Sequence, residues 1–370
     1  MKKLKVLVIG NYADDCQISM NRFCELIVNI YNEEFETFVS KPSVFLGRIP
    51  CKIRVIRKYV AYIDKLIIYP LWLFIQSRKF DKIHIIDHGN SYYSFFCPRA
   101  HTIITCHDLL AIRGAFGDKS VYCESSIIGV WLQRLIIAGL KRAKYICFVS
   151  YSTYRDYNRI IGVKSKQVYK IIYNPINARF VSDVAKTDCS IDKTMMTHKK
   201  PYILMVGSSH PRKNRKISMK IIAYLGSNSP YNLVLVGKAI SIEEQKIIDE
   251  LQISEKIFSY VNPNHSILNY LYCNAHALMF PSYAEGFGWP IIEAQSSGCP
   301  VIASNRTSIP EIAGKGALLS DPDDVSKMSN YILFLEIQKI RERQIKFGTA
   351  NIQRFSFDSI SKSYIKVVRS

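Results

Sequence analysis

Residues 280–314 read FPSYAEGFGWPIIEAQSSGCPVIASNRTSIPEIAG, and this stretch decides the fold. The apolar run Ala277–Phe280 enters it as a buried strand, which breaks at Pro281-Ser282. Pro290 suits the first position of a helix, where the missing N–H costs nothing. Gly298 suits the left-handed position that ends one, and Pro300-Val-Ile-Ala starts the next strand. The unit is therefore strand, loop, helix, strand, with bare backbone N–H groups at the helix start that attract anions and hydroxyl-rich ligands. Gly286 and Gly288 let a ligand approach the backbone. Glu285 can accept hydrogen bonds from hydroxyls, and Glu293 is expected in the first helical turn, facing the same mouth. A polyol carrying phosphate fits such a loop.

The alternation extends outward in both directions. Val6–Ile9, Ile83–Ile86, Thr102–Cys106 and Tyr145–Ser150 are apolar runs of strand length, with a helix expected over Ile127–Arg142. The pattern restarts at Tyr202–Gly207, continues with a helix over Lys216–Leu225, and supplies further strands at Leu233–Gly237, Pro300–Ser304 and Gly316–Leu319. Such alternation predicts an α/β protein with parallel sheets covered on both faces. Residues 177–200 are polar and without apolar period, and read as a linker.

With its surroundings, the opening stretch resembles the E-x7-E signature of the family 4 retaining glycosyltransferases. Four further segments are similar to that family in the same order: TCHD at Thr105–Asp108, FVSYSTY at Phe148–Tyr154, IYNPI at Ile172–Ile176 and YILMVGSSHPRKN at Tyr202–Asn214. The resemblance implies the GT-B fold, two Rossmann-like doubly wound parallel-sheet domains facing a central cleft. Residues 1–176 would bind the acceptor and residues 201–355 the nucleotide sugar. A terminal helix in residues 356–370 would cross back to the first domain.

The same resemblance assigns roles. Lys213, with Arg212, would neutralise the departing diphosphate at the carboxyl edge of the sheet, beside Gly207 and Ser208. Many relatives carry an Arg where Ser208 stands, so either Arg212 takes its place or Ser208 offers only a hydroxyl. Glu293 would grip the ribose hydroxyls. Glu285, Gly286 and the amides of Phe287 and Gly288 would lie against the transferred sugar. His107 would contact that sugar, with Asp108 orienting its imidazole. Relatives often have Gly-Gly after the first strand; here only Gly10 is present, which leaves Asn11 or Ser19 for the acceptor. Asp321-Pro322-Asp323 has the form of a metal-binding D-x-D but reads as a solvated turn. The expectation is no metal and no cofactor beyond a GDP-, UDP- or dTDP-linked sugar. The acceptor would be a glycan, carried on a lipid, of bacterial surface polysaccharide (O-antigen or capsule), and the sugar a hexose or deoxyhexose of the mannose type. A nucleotide-sugar epimerase is the competing enzymatic reading; a nucleic-acid-binding α/β protein has no use for the Glu285/Glu293 loop.

Composition sets the remaining bounds. The 370 residues suffice for two domains, and 48% hydrophobic content excludes disorder. Ten cysteines without a C-x-x-C pair read as reduced thiols. MKKLKVLVIGNY reads as a first strand rather than a secretory leader, so a cytoplasmic location is expected. Fifty Lys and Arg against thirty Asp and Glu give +20, and residues 1–180, with 27 basic and 13 acidic side chains, hold +14 of it. No nucleic-acid-binding signature accompanies this charge. From Ile53, the residues Ile56, Val60, Ile63 and Ile67 follow helical spacing, with Arg54, Arg57, Lys58 and Lys65 largely opposite; LIIYPLWLFI follows. Two readings stand for this region: a face lying on an anionic membrane surface, at the inner side of the plasma membrane, or a core-facing helix pair with a solvated basic side.

Overall fold

The computed structural model describes residues 3–12, 15, 17–42, 62–176, 180 and 201–370. The linker expected over 177–200 and the basic helix expected from Ile53 lie, but for Phe180 and the stretch from Tyr62 on, outside them. The chain forms two compact units: Met1–Phe116 with Glu124–Tyr173 and Ile360–Ser370, and Gly117–Cys123 with Asn174–Ser359.

The first unit is built on a six-stranded sheet in the order β2-β1-β3-β4-β5-β6. Its strands are β1 (Lys5–Ile9), β2 (Glu36–Ser40), β3 (Lys82–Ile85), β4 (Thr102–Cys106), β5 (Tyr145–Phe148) and β6 (Val168–Ile171). Every pairing is parallel. Central strands of a parallel sheet are covered on both faces, so they read as unbroken apolar runs. Leu7, Ile9, Ile83, Ile85, Ile104, Ile146 and Phe148 accordingly lie in one core with helical Leu140 and Tyr157. The final helix, Phe357–Arg369, places Tyr364 against Phe23 and His84 with ring centroids 6.3 and 5.8 Å away.

The second unit repeats the plan, in the order β12-β11-β10-β7-β8-β9. Its strands are β7 (Tyr202–Gly207), β8 (Asn232–Gly237), β9 (Ile257–Val261), β10 (Ala277–Phe280), β11 (Val301–Ser304) and β12 (Ala317–Ser320). Alternate residues serve opposite faces. Ile203 and Met205 enter one core with Leu233, Met279 and Ile302. Tyr202 and Leu204 enter the other with Val234, Leu278 and Ile291.

Each sheet reverses its direction of strand addition once, between β1 and β3 in the first and between β7 and β10 in the second. Loops leaving the carboxyl ends of the two strands at such a point diverge to opposite faces and open a crevice, which is where open α/β sheets bind ligands.

Candidate active site

The reversal in the second unit brings together the two segments singled out in the sequence. After β7 the chain turns through a short helical turn, Pro211–Lys213, passes Asn214 in the left-handed region (φ 54°), and enters the helix Arg215–Leu225. After β10 it runs through Pro281–Gly288 into the helix Trp289–Ser296, with Pro290 in its first turn. Gly288 precedes that helix at φ 114°, a conformation that favours glycine.

The loops are tied by charge. Lys213 Nζ donates to Glu285 Oε1 at 2.6 Å, and Arg212 Nη1 to Glu285 Oε2 at 2.7 Å and to the Ala284 carbonyl at 2.7 Å. The Tyr283 amide donates to the Arg212 carbonyl at 2.9 Å. Burial alone would push the Glu285 carboxyl up; the charge of Lys213, then that of Arg212, outweighs it and holds the group at about 2. Lys213 also lies over the Phe280 ring, 5.2 Å from its centroid. This cluster thus holds one buried carboxylate between two cations.

Three residues that the sequence reading passed over hold this arrangement. The Glu285 amide donates to Thr307 Oγ1 at 2.9 Å, and Ser308 Oγ donates to the carbonyls of Glu285 and Phe287 at 2.9 and 3.0 Å. Arg215 is 2% exposed: Nη2 donates to the Gly207 carbonyl at 2.7 Å, and Nη1 to the Lys238 carbonyl at 3.1 Å, beside Glu244 at 3.5 Å. It therefore clamps the ends of β7 and β8 beneath the loop that carries Lys213. Ser208 accepts a long bond from the His210 amide, 3.4 Å, and His210 Nδ1 caps the turn by accepting from the Arg212 amide at 3.2 Å.

Glu293 is the fifth residue of its helix, just past the first turn in which it was expected. It is 3% exposed, and Tyr272 OH donates to its Oε2 at 3.1 Å. Phe287 is buried with its ring against Trp289 and Phe355, and Gly286 lies between it and Glu285. Asp321 and Asp323 are engaged separately: Asp321 pairs with Arg306, and Tyr283 OH donates to Asp323 at 2.5 Å.

In the first unit His107 follows β4 and is buried. Its Nε2 donates to the Ile86 carbonyl at 2.8 Å, and its ring meets Phe23 edge-on at 4.6 Å. Burial, opposed by the charge of Asp87, lowers its pKa below the usual histidine value. The Asp108 carboxylate accepts from the Leu110 amide at 3.0 Å, at the start of the following helix, while the His107 ring is held by the hydrogen bond its Nε2 donates to the Ile86 carbonyl.

The family model of the glycosyl transferases group 1 matches residues 190–351. The O-antigen chain mannosyltransferase RfbU of Salmonella typhimurium is 30% identical over 304 residues, 80% of this chain and 76% of its own length. The O-antigen chain mannosyltransferase B of Escherichia coli is 32% identical over 174 residues, 45% of either chain. Among solved structures, sucrose-phosphate synthase from Thermosynechococcus elongatus superposes with a TM-score of 0.76 at 16% identity, over 99% of this chain and 98% of that one. Anabaena HepE in complex with UDP and glucose gives 0.75 at 15% identity, over 99% of both chains. The fold is thus that of the GT-B glycosyltransferases. The chain belongs to the glycosyl transferases group 1 and is a glycosyltransferase.

Proposed function

We propose that the chain transfers a hexose of the mannose type from a nucleotide sugar to a lipid-linked glycan acceptor in O-antigen synthesis, with retention of configuration and without a metal ion. The observation that carries this reading is the Arg212–Glu285–Lys213 cluster at the strand reversal of the second unit. Departure of a nucleoside diphosphate leaves negative charge, and preorganised cations placed where that charge develops are the strongest stabilisers an active site offers. Glu285 holds both cations in place before substrate arrives. Two cations supply the neutralisation that other transferases draw from a divalent ion. The mannosyltransferases to which the chain is similar support the choice of sugar and pathway.

In this reading Glu293 takes the ribose hydroxyls, and Gly286, Phe287 and Gly288 line the transferred sugar. His107, with Nε2 committed to the Ile86 carbonyl, has its other nitrogen for the sugar. The leaving phosphate oxygen accepts the proton of the attacking hydroxyl, so the product keeps the donor's configuration. The nucleotide sugar is a co-substrate, and no further cofactor is required. Among the described residues no helix is long and apolar enough to cross a membrane. A peripheral position on an anionic membrane is supported by Ile67, Leu71 and Ile75, which are 55%, 62% and 64% exposed and precede Arg78 and Lys79.

The test is incubation with GDP-, UDP- and dTDP-linked sugars and a lipid-linked glycan fraction, with and without EDTA. We expect transfer from one donor, unaffected by the chelator, to an α-linked product by NMR. Turnover of donor alone into an epimer, or activity abolished by EDTA, contradicts the reading.

A further inference from the structure

The strand reversal of the first unit also carries a built polar site. Asn11 follows β1 and Asp87 follows β3, and they meet: Asn11 Nδ2 donates to Asp87 Oδ2 at 2.7 Å and also to Gln17 Oε1. Asn90 Nδ2 donates to Asn11 Oδ1 at 2.9 Å, and the Gly89 amide to Asp87 Oδ1 at 2.9 Å. Asn11 and Asp87 are buried, 4% and 8% exposed, whereas His88 and Asn90 reach the surface in part. His88 Nδ1 accepts from the His107 amide at 3.4 Å and stands 3.4 Å from Asp87 Oδ1. Asn11, considered above as a direct acceptor contact, is instead spent on bracing Asp87.

We infer that His88, seated on the buried Asp87 carboxylate, receives a hydroxyl of the sugar acceptor, with Asn90 beside it and Asp87 as its positioning residue; this rests on the transferase reading above. Three observations lead there. The site occupies the crevice that strand reversal opens at the carboxyl edge of an open sheet. Its chemistry differs from that of the second unit's crevice. Its hydrogen-bonding side chains are those of Asn11, Gln17, Asp87, His88 and Asn90, so a phosphate would meet the Asp87 carboxylate. A hydroxyl finds both a donor and an acceptor there. Finally, the site keeps a charge that burial opposes: burial pushes Asp87 up, but His88, His107, the Gly89 amide and Asn11 outweigh it and lower the group. A carboxylate so kept against its desolvation cost fixes the imidazole that leans on it.

The experiment uses the full chain with its nucleoside diphosphate bound and three probes: octyl glycosides of mannose, galactose and N-acetylglucosamine. The imidazole NMR signals of His88 should move with at least one probe, while those of buried His84 do not. In transfer assays His88→Ala and Asp87→Asn should each raise the acceptor KM about tenfold, the loss of one hydrogen bond, with the donor KM held within about twofold. A merely structural role would lower the melting temperature and leave this split absent. Signals of His88 unmoved by all three probes, or a donor KM that rises while the acceptor KM stays fixed, overturn the inference. If Asp87→Asn fails to fold, His88→Ala and the NMR signals decide alone. A wild type that binds no nucleotide sugar would defeat the transferase reading instead, and is recognised by that.

Discussion

Glu285 stands where two loops converge that are 72 residues apart in sequence, and its behaviour follows from what it meets there. A buried carboxylate costs several kcal/mol unless it is paired and hydrogen-bonded, and both oxygens here are filled by cations. Its folded-state pKa is depressed from 4.5 to about 2, so its contribution is complete above the unfolded value and is lost as pH falls from there towards 2. A shift of that size corresponds to roughly 3 kcal/mol. Urea unfolding at about pH 5 and about pH 3 should therefore show the wild type losing more stability than Glu285→Gln across that interval. Equal losses would mean the pair contributes nothing. The sequence marked Glu285, Lys213 and Arg212 individually, because each sits in a motif with a recognisable loop. Their pairing was not legible, since no local spacing links the two loops. Arg215 was missed for a related reason: a basic residue at a helix start reads as solvated, and only the fold buries it between Gly207 and Glu244.

At the level of elements, the central strands were legible, and of the four edge strands only β12 was, as the run Gly316–Leu319. β1, β3, β4, β5, β7, β8, β10 and β11 are apolar runs because both their faces are covered. β2, β6 and β9 read ETFVS, VYKI and IFSYV and are partly exposed along most of their length, so they lack the run that announces a buried strand. The helix Ile127–Arg142 matches its expected bounds, with Ser126 Oγ accepting from the Gly129 amide as its cap. The helix Trp289–Ser296 depends on its glycine. At Gly288 a Cβ would meet Ile291 Cδ1 at 3.2 Å on a backbone of φ 114°. Gly288→Ala should cost about 1–3 kcal/mol in chemical denaturation and weaken donor binding, because it displaces the loop that carries Glu285. Wild-type stability and affinity in that variant would show that the loop tolerates the change.

For the whole molecule, the excess of fourteen positive charges in the first 180 residues sets the long-range field. Together with the exposed Leu71 and Trp72 it predicts co-sedimentation with vesicles rich in anionic lipid, weakened by salt and by Leu71→Gln with Trp72→Gln. Binding unaltered by both would remove the membrane from the account. The doubly wound plan was readable from the alternation of runs, whereas the two strand reversals were not, because strand order is a property of the sheet rather than of any segment. Those reversals place a cationic loop pair in the second unit, and the central claim is that this pair receives the nucleoside diphosphate. Calorimetric titration of GDP, UDP and dTDP into the wild type and Lys213→Ala tests it most directly. The account predicts that one nucleotide binds the wild type and that the substitution weakens it about tenfold to a hundredfold, the value of one or two charge-assisted hydrogen bonds. Equal affinity in the two proteins would contradict it.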